Sequence, residues 1–177
     1  MPISTHTMQC SVIIPCHGGA ALTEACIQSL LQQQGAHDLE ILLVDNKNDP
    51  DTAQLAQLHA CIRVLPQPHN RGFAGGVNQG FLAARHAFLL VLNNDTQAAP
   101  HLLTRLHAAL LADERIAMVA PVSNYVKGEA RIDIGTRGAT AAGRLAIETE
   151  LACVDGMVQD VSSLSGLCLL LQIGRAH

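Results

Sequence analysis

Apolar and polar positions along this chain fall into short blocks whose period changes repeatedly. "CSVII" (10–14), "EILLV" (40–44), "IRVL" (62–65), "AFLLVL" (87–92) and "IAMVA" (116–120) are runs of strand length. Between them apolar residues recur at helical spacing. Leu22, Cys26, Ile27, Leu30 and Leu31 share one face of a helix that stops near Gly35. Leu102, Leu103, Leu106, Leu110 and Leu111 share a face of another, opened by Pro100 at its first turn. Residues 51–60 predict a short helix, and 74–86 a longer one despite its glycines. Past about residue 122 the alternation weakens into a Gly-rich segment that reads as loop with short strands. "DVSSLSGLCLLL" (160–171) then returns to strand character.

Strands apolar throughout, alternating with helices, predict an α/β domain: a mainly parallel sheet with helices on both faces. In such sheets ligands bind at the carboxyl ends of the strands. The polar residues collect there. His17 follows the first strand, Asp45 and Asn46 the second, Asn70 and Arg71 the third, and Asn93 to Thr96 the fourth. "NRGFAGGVNQG" (70–80) puts Gly72, Gly75 and Gly76 at a helix start, where bare backbone N–H groups and the helix dipole suit an anion. Arg71 suits a diphosphate or a sugar pocket. The same glycines equally serve a tight turn with close helix packing. Asp95, beside Asn93 and Asn94, suits a hard divalent cation, which takes one or two carboxylates plus substrate phosphates. Its rival reading is an Asx turn. Asp45 either accepts a hydrogen bond from a nucleobase N–H or caps the turn-forming "DNKNDPD".

Composition removes several function classes. A chain of 177 residues, 49% hydrophobic and 15% charged, is globular and suggests one domain. A net charge of −4, no dense Lys/Arg run and only 2% aromatics argue against nucleic-acid partners. The six cysteines form no CxxC pair and read as small buried thiols in a reducing cytosol. The N-terminus lacks the pattern of a signal peptide, and no apolar run approaches the ~20 residues of a membrane span. A cytoplasmic location is therefore expected. The first strand is not followed by GxGxxG, against a dehydrogenase. "PCHGGA" carries no Lys or Arg, against a nucleotidyltransferase. A non-catalytic nucleotide-binding α/β domain stays as the alternative. It would keep Asp45 and the glycine-rich turn without needing Asp95.

"SVIIPCH", "LEILLVDNKNDPD", "NRGFAGGVNQG" and "FLLVLNNDT" occur in one order, each at a strand end. Together they resemble the family 2 glycosyltransferases with the GT-A fold, the nucleotide-diphospho-sugar transferase type. The middle motifs are most similar to the branch with bacterial rhamnosyltransferases of surface polysaccharides. The resemblance covers about residues 10–171, with 1–9 as an N-terminal tail.

The resemblance implies sugar transfer, with inversion, from a dTDP- or UDP-sugar to a hydroxyl on a glycan or lipid-linked acceptor. Pro15 and His17 would line the nucleobase and ribose site. Asp45 would hold the base, with Asn46 beside it. Asn70, Arg71, Gly72, Gly76 and Asn78 would shape the sugar and diphosphate region. "NND" stands where many members have Asp-x-Asp, so Asp95 would bind Mg²⁺ or Mn²⁺. Asn93, in place of the first carboxylate, would bond a ribose hydroxyl, with Asn94 completing the motif. A lipid-linked acceptor implies peripheral association at the inner face of the membrane.

The family's general base and acceptor half lie beyond the strand matching "LSGLCLLL". Asp155 and Asp160 precede that strand and are not candidates for the base. "IGRAH" (173–177) reads like one frame of a sequencing-library adapter, so 172–177 are expected to be non-native. On that expectation the fold is incomplete at the C-terminus, the chain is inactive in transfer, and an apolar strand edge is left open to aggregation.

Overall fold

Two nine-residue strands, β1 (Met8–Cys16) and β2 (His37–Asp45), lie side by side inside a six-stranded sheet. The computed structural model describes residues 7–35, 37–123, 131 and 161–173. Along the chain, β1 leads to α1 (Ala20–Leu31), β2 to a short α2 (Pro50–Gln54) and a 3₁₀ turn (Leu55–Gln57), and β3 (Ile62–Pro66) to α3 (Gly72–Ala83). Then come β4 (Phe88–Leu92), α4 (Leu102–Leu111), β5 (Met118–Val119) and β6 (Cys168–Gln172). The strand order is β3-β2-β1-β4-β6-β5. The first four strands are parallel, and β6 runs antiparallel to both its neighbours.

Strand alternation explains why both faces are covered. Cys10, Val12, Ile14 and Cys16 of β1 point into the larger core, with Cys26, Ile27 and Leu30 of α1 and Leu103, Leu106 and Leu110 of α4. Ile13 points to the other face, where it joins Leu42 and Val44 against Phe81 and Ala83. Register then levels the strand ends. Cys16 lies opposite Asp45, and Asp45 opposite Pro66, so β1, β2 and β3 stop together.

Several boundaries differ from the sequence reading. Leu22 is 58% exposed and Leu111 47%, so neither belongs to its helix's buried stripe. The buried positions of α1 are Thr23, Cys26, Ile27 and Leu30, and Leu22 sits one residue, about 100°, off that stripe. α4 starts at Leu102, so Pro100 precedes the helix; its carbonyl accepts the Gln34 N–H at 2.7 Å. The helix expected over 51–60 shrinks to α2 and its 3₁₀ turn, and the fifth strand to two residues. β6 lies between β4 and β5, so the apolar strand expected as an open edge is paired on both sides at Leu170 and Leu171. It also continues through Gln172, opposite Phe88. Cys153, Asp155, Asp160, residues 1–6 and 174–177, and most of the Gly-rich segment lie outside the described residues.

Two strand positions break the apolar pattern. Ser11 and Glu40 are buried side by side, their side chains 2.7 Å apart. Glu40 also meets Arg63, and it accepts the Arg85 backbone N–H at 3.0 Å, while Ser11 accepts that of His86 at 3.2 Å. This explains why α3 ends at Ala83 rather than His86. The segment that leaves it satisfies two backbone donors on the sheet instead of in another helical turn. Burial raises the Glu40 pKa, but hydrogen bonds from Ser11, Arg85 and Arg63 outweigh it and leave the carboxyl below its usual 4.5. A depressed carboxylate stabilises the fold above its unfolded pKa and loses that contribution as pH falls through the folded value. Glu40→Gln is expected to cost about 2 kcal/mol near neutral pH, after discount for the partly exposed Arg63. The variant's denaturant midpoint should approach that of wild type as pH falls below 4.5. Urea titrations at pH 7 and at stepwise lower pH check this; parallel curves would remove the assignment.

Candidate functional site

The level ends of β1 to β3, and the turn after β4, gather the predicted residues on one edge of the sheet. The backbone stitches the edge together. The Asn46 N–H donates to the Cys16 carbonyl at 2.8 Å, and the Gln67 N–H to that of Asp45 at 2.9 Å. The Asn93 N–H donates to the Leu167 carbonyl at 2.9 Å, which ties the turn after β4 to the entry of β6.

Asp45 is 1% exposed and does local work. One carboxylate oxygen accepts the Lys47 N–H at 3.0 Å, the other the Asp49 N–H at 2.7 Å. Those bonds make the turn-capping reading of Asp45 the one visible in the structure. Asn46, 5% exposed, reaches across to the loop before α3. Its Oδ1 accepts the Arg71 N–H at 3.2 Å and its Nδ2 faces the Gly72 carbonyl at 3.5 Å. Asn70 closes the same loop, its Oδ1 accepting the Gly72 N–H at 2.8 Å. Gly72 has φ +67, a left-handed conformation that glycine adopts without Cβ strain. Gly76 packs under this loop: a Cβ there would lie 3.0 Å from Asn46 Nδ2 and 3.3 Å from Pro15 Cβ.

Asn94 clamps the loop after β1. Its Nδ2 donates to Thr23 Oγ1 at 3.0 Å and the Gly18 carbonyl at 3.4 Å. Gly18 and Gly19 both have positive φ, and α1 begins right after them. Thus Asn46, Arg71, Gly72, Gly76 and Pro15 come together as one cluster, and Asn94 joins the loop that holds His17. His17, Asn70, Arg71, Asn78 and Asp95 are exposed, whereas Pro15, Asp45, Asn46 and Gly76 are buried.

The sequence reading missed Lys47. Its ammonium and Cδ lie 3.4 Å from where a Gly18 Cβ would sit, which lays an exposed cation across the β1–α1 loop. The signal was one basic residue in an otherwise polar turn, too weak without the register that brings that turn beside Gly18. Four of the five described cysteines match the expectation of inert buried thiols, while Cys61 is half-buried. Burial pushes Cys10, Cys16, Cys26 and Cys168 up to about 12, so none is a thiolate nucleophile at neutral pH.

The profile of the family described as "Glycosyl transferase family 2" matches residues 11–155. This chain belongs to glycosyl transferase family 2. The uncharacterized glycosyltransferase EpsJ of Bacillus subtilis (strain 168) is 31% identical over 100 residues, 54% of this chain and 28% of EpsJ. The O-antigen biosynthesis protein RfbC of Myxococcus xanthus is 31% identical over 115 residues, 62% of this chain and 9% of RfbC. The chain therefore spans less than a third of either relative's length. Among solved structures, the mannosyltransferase PcManGT from Pyrobaculum calidifontis, in complex with GDP-Man and Mn²⁺, superposes with a TM-score of 0.57 at 23% identity. That match covers 67% of this chain and 36% of PcManGT. S. aureus TarS superposes at 0.59 with 20% identity, covering 69% of this chain and 23% of TarS. These likenesses show the fold: this family 2 chain has the GT-A sheet.

The donor set decides what metal the edge could hold. Among the described residues no three His, Cys, Asp or Glu side chains come close enough to form a metal centre. A protein-only cage is therefore excluded there. One exposed carboxylate, Asp95, next to two amides fits a hard cation whose remaining ligands are water and a substrate diphosphate. Among the described residues, no helix of this family 2 domain is long and apolar enough to cross a membrane.

Proposed function

We propose that this chain is the donor-binding part of a glycosyltransferase that moves a sugar from a nucleotide-diphosphate donor to a hydroxyl acceptor in surface polysaccharide synthesis. The observation that carries the reading is the assembly, at level strand ends, of Asp45, the Asn46-held loop 70–72 and the exposed Asp95 in a family 2 domain. Pro15 and His17 line the nucleobase and ribose side, and Asp45, buried and bonded to the backbone of Lys47 and Asp49, fixes the turn that floors it. Arg71 and Lys47 supply positive charge for the diphosphate, and the exposed Asn78 of α3 is assigned to the sugar side on the family resemblance. Asn93 bonds a ribose hydroxyl. Asp95 holds Mg²⁺ or Mn²⁺, which when bound neutralises the leaving diphosphate as a Lewis acid.

In the proposed transfer the anomeric C–O bond to the diphosphate breaks and its electron pair leaves with the diphosphate. The acceptor oxygen bonds the anomeric carbon from the opposite side, giving inversion, and its proton passes to a general base. That base belongs to the segment after β6, as the family resemblance implies. The likeness to the O-antigen biosynthesis protein RfbC supports an acceptor in cell-surface glycan assembly, and a lipid carrier would bring the protein to the inner face of the membrane. The motifs at 39–51 and 70–80 are most similar to the branch that includes bacterial rhamnosyltransferases.

Calorimetric titration with UDP, dTDP and GDP, each with and without Mn²⁺, tests this. Binding of at least one nucleoside diphosphate, tightened by Mn²⁺, is the expected result. Binding indifferent to Mn²⁺ would favour the non-catalytic nucleotide-binding domain. A folded sample that binds none would sink the donor-site reading.

A further inference from the structure

Asn46 sits where four parts of the edge meet. Its N–H is bonded to the end of β1, and its side chain faces the Arg71 N–H, the Gly72 carbonyl and the bare Cα of Gly76. It is 5% exposed, so little of it is left to touch a ligand. The residues it holds are the opposite: Arg71 and Gly72 are exposed. A buried amide that bonds both a donor and an acceptor of one loop fixes that loop's peptide planes. A carboxylate cannot do both at this site, because the Gly72 carbonyl needs a donor and the Arg71 N–H an acceptor. Gly76 leaves the amide its space, since a Cβ there would come within 3.0 Å of Nδ2.

We propose that Asn46 is a positioning residue and not a donor ligand: its buried amide sets the Arg71–Gly72 backbone, and through it the chain's preference for a diphosphate over a monophosphate. The inference rests on the reading of loop 70–72 as the diphosphate side of the donor site. It differs from a plain stabilising role in one respect. A stabilising residue lowers the affinity of every ligand together, whereas a positioning residue for this loop changes only the part of the affinity that the second phosphate adds.

The test compares UDP with UMP, dTDP with dTMP and GDP with GMP, in Mn²⁺, by calorimetry on wild type, Asn46→Ala, Asn46→Asp and Gly76→Ala, with melting curves on each. For whichever base wild type binds, Asn46→Ala should weaken the diphosphate about fivefold to tenfold, the size of one or two lost hydrogen bonds. The monophosphate should stay within about twofold. Asn46→Asp keeps an acceptor for Arg71 and turns a second acceptor toward the Gly72 carbonyl, so it should show the same loss even if the alanine variant folds poorly. Gly76→Ala should reproduce it with Asn46 in place, by pushing the amide aside. Equal weakening of both ligands, or an unchanged ratio in Asn46→Asp and Gly76→Ala, would overturn the proposal while leaving the donor-site reading intact. No binding by wild type would overturn both.

Discussion

Gly80→Ala is expected to destabilise the protein by about 3 kcal/mol, the upper end of what an extra methylene in a packed core costs. Propensity alone argues the other way. Glycine inside a helix is about 1 kcal/mol worse than alanine, so an exposed Gly80 would gain from the change. Packing reverses the sign. A Cβ on Gly80 would lie 2.2 Å from Ile13 Cγ2, 3.0 Å from Cγ1 and 3.1 Å from Cβ. All three atoms belong to a β-branched side chain that is 0% exposed on the central strand, so it has neither rotamer freedom nor room to retreat. Either α3 lifts off the sheet or β1 shifts, and both would disturb the loop that leads into α3. For a chain of this length the melting temperature should fall by roughly 6–12 °C. Ile13→Ala, itself destabilising as a cavity mutation, should make Gly80→Ala less costly in the double variant. Additive losses in that double-mutant cycle would show that the two positions do not meet.

Asp95→Ala is expected to have the largest functional effect. On the donor-site reading Asp95 is the carboxylate that the turn after β4 offers the cation, so its loss removes the charge that draws metal and diphosphate together. Nucleoside diphosphate binding in Mn²⁺ should weaken about 100-fold, the scale at which disturbed metal shells lose affinity. Binding without metal should be unchanged. Because Asp95 is exposed, stability should stay within about 0.5 kcal/mol of wild type, so lost binding cannot be put down to unfolding. Asp95→Asn should behave like the alanine variant, since an amide keeps the shape but not the charge. Retained Mn²⁺-dependent binding in both would remove Asp95 from the metal site and leave the Asn93–Thr96 turn as a turn only.

The contrast between Asp45 and Asn46 shows where reading a linear chain stops. Both were legible as polar residues at a strand end, but what they touch was not. Asp45 bonds residues two and four places on, a local Asx pattern that "DNKNDPD" already suggested. Asn46 bonds residues 25 and 26 places away, and nothing near it in sequence names those partners. Asn94, with partners 71 and 76 residues distant, and Lys47, lying over Gly18, have the same history.

By itself the sequence determined the parallel α/β class, the positions of the main strands and helices, and the edge on which polar residues gather. These follow from local periodicity: a buried strand must be apolar for several residues, and a helix must repeat its apolar face every 3.6. The carboxyl ends of parallel strands then share an edge whatever the details. The tertiary structure decided the rest, because it depends on register and on contacts between distant segments. Pairing Cys16 with Asp45 and Asp45 with Pro66 levelled the loops so that Asn46 could reach Arg71. The buried Ser11–Glu40 pair ended α3 early by offering its exit donors a better partner than another turn. Gly80, a helix weakness when read locally, proved to be the point where α3 lies directly on Ile13, since only a residue without a Cβ lets helix and sheet approach that closely.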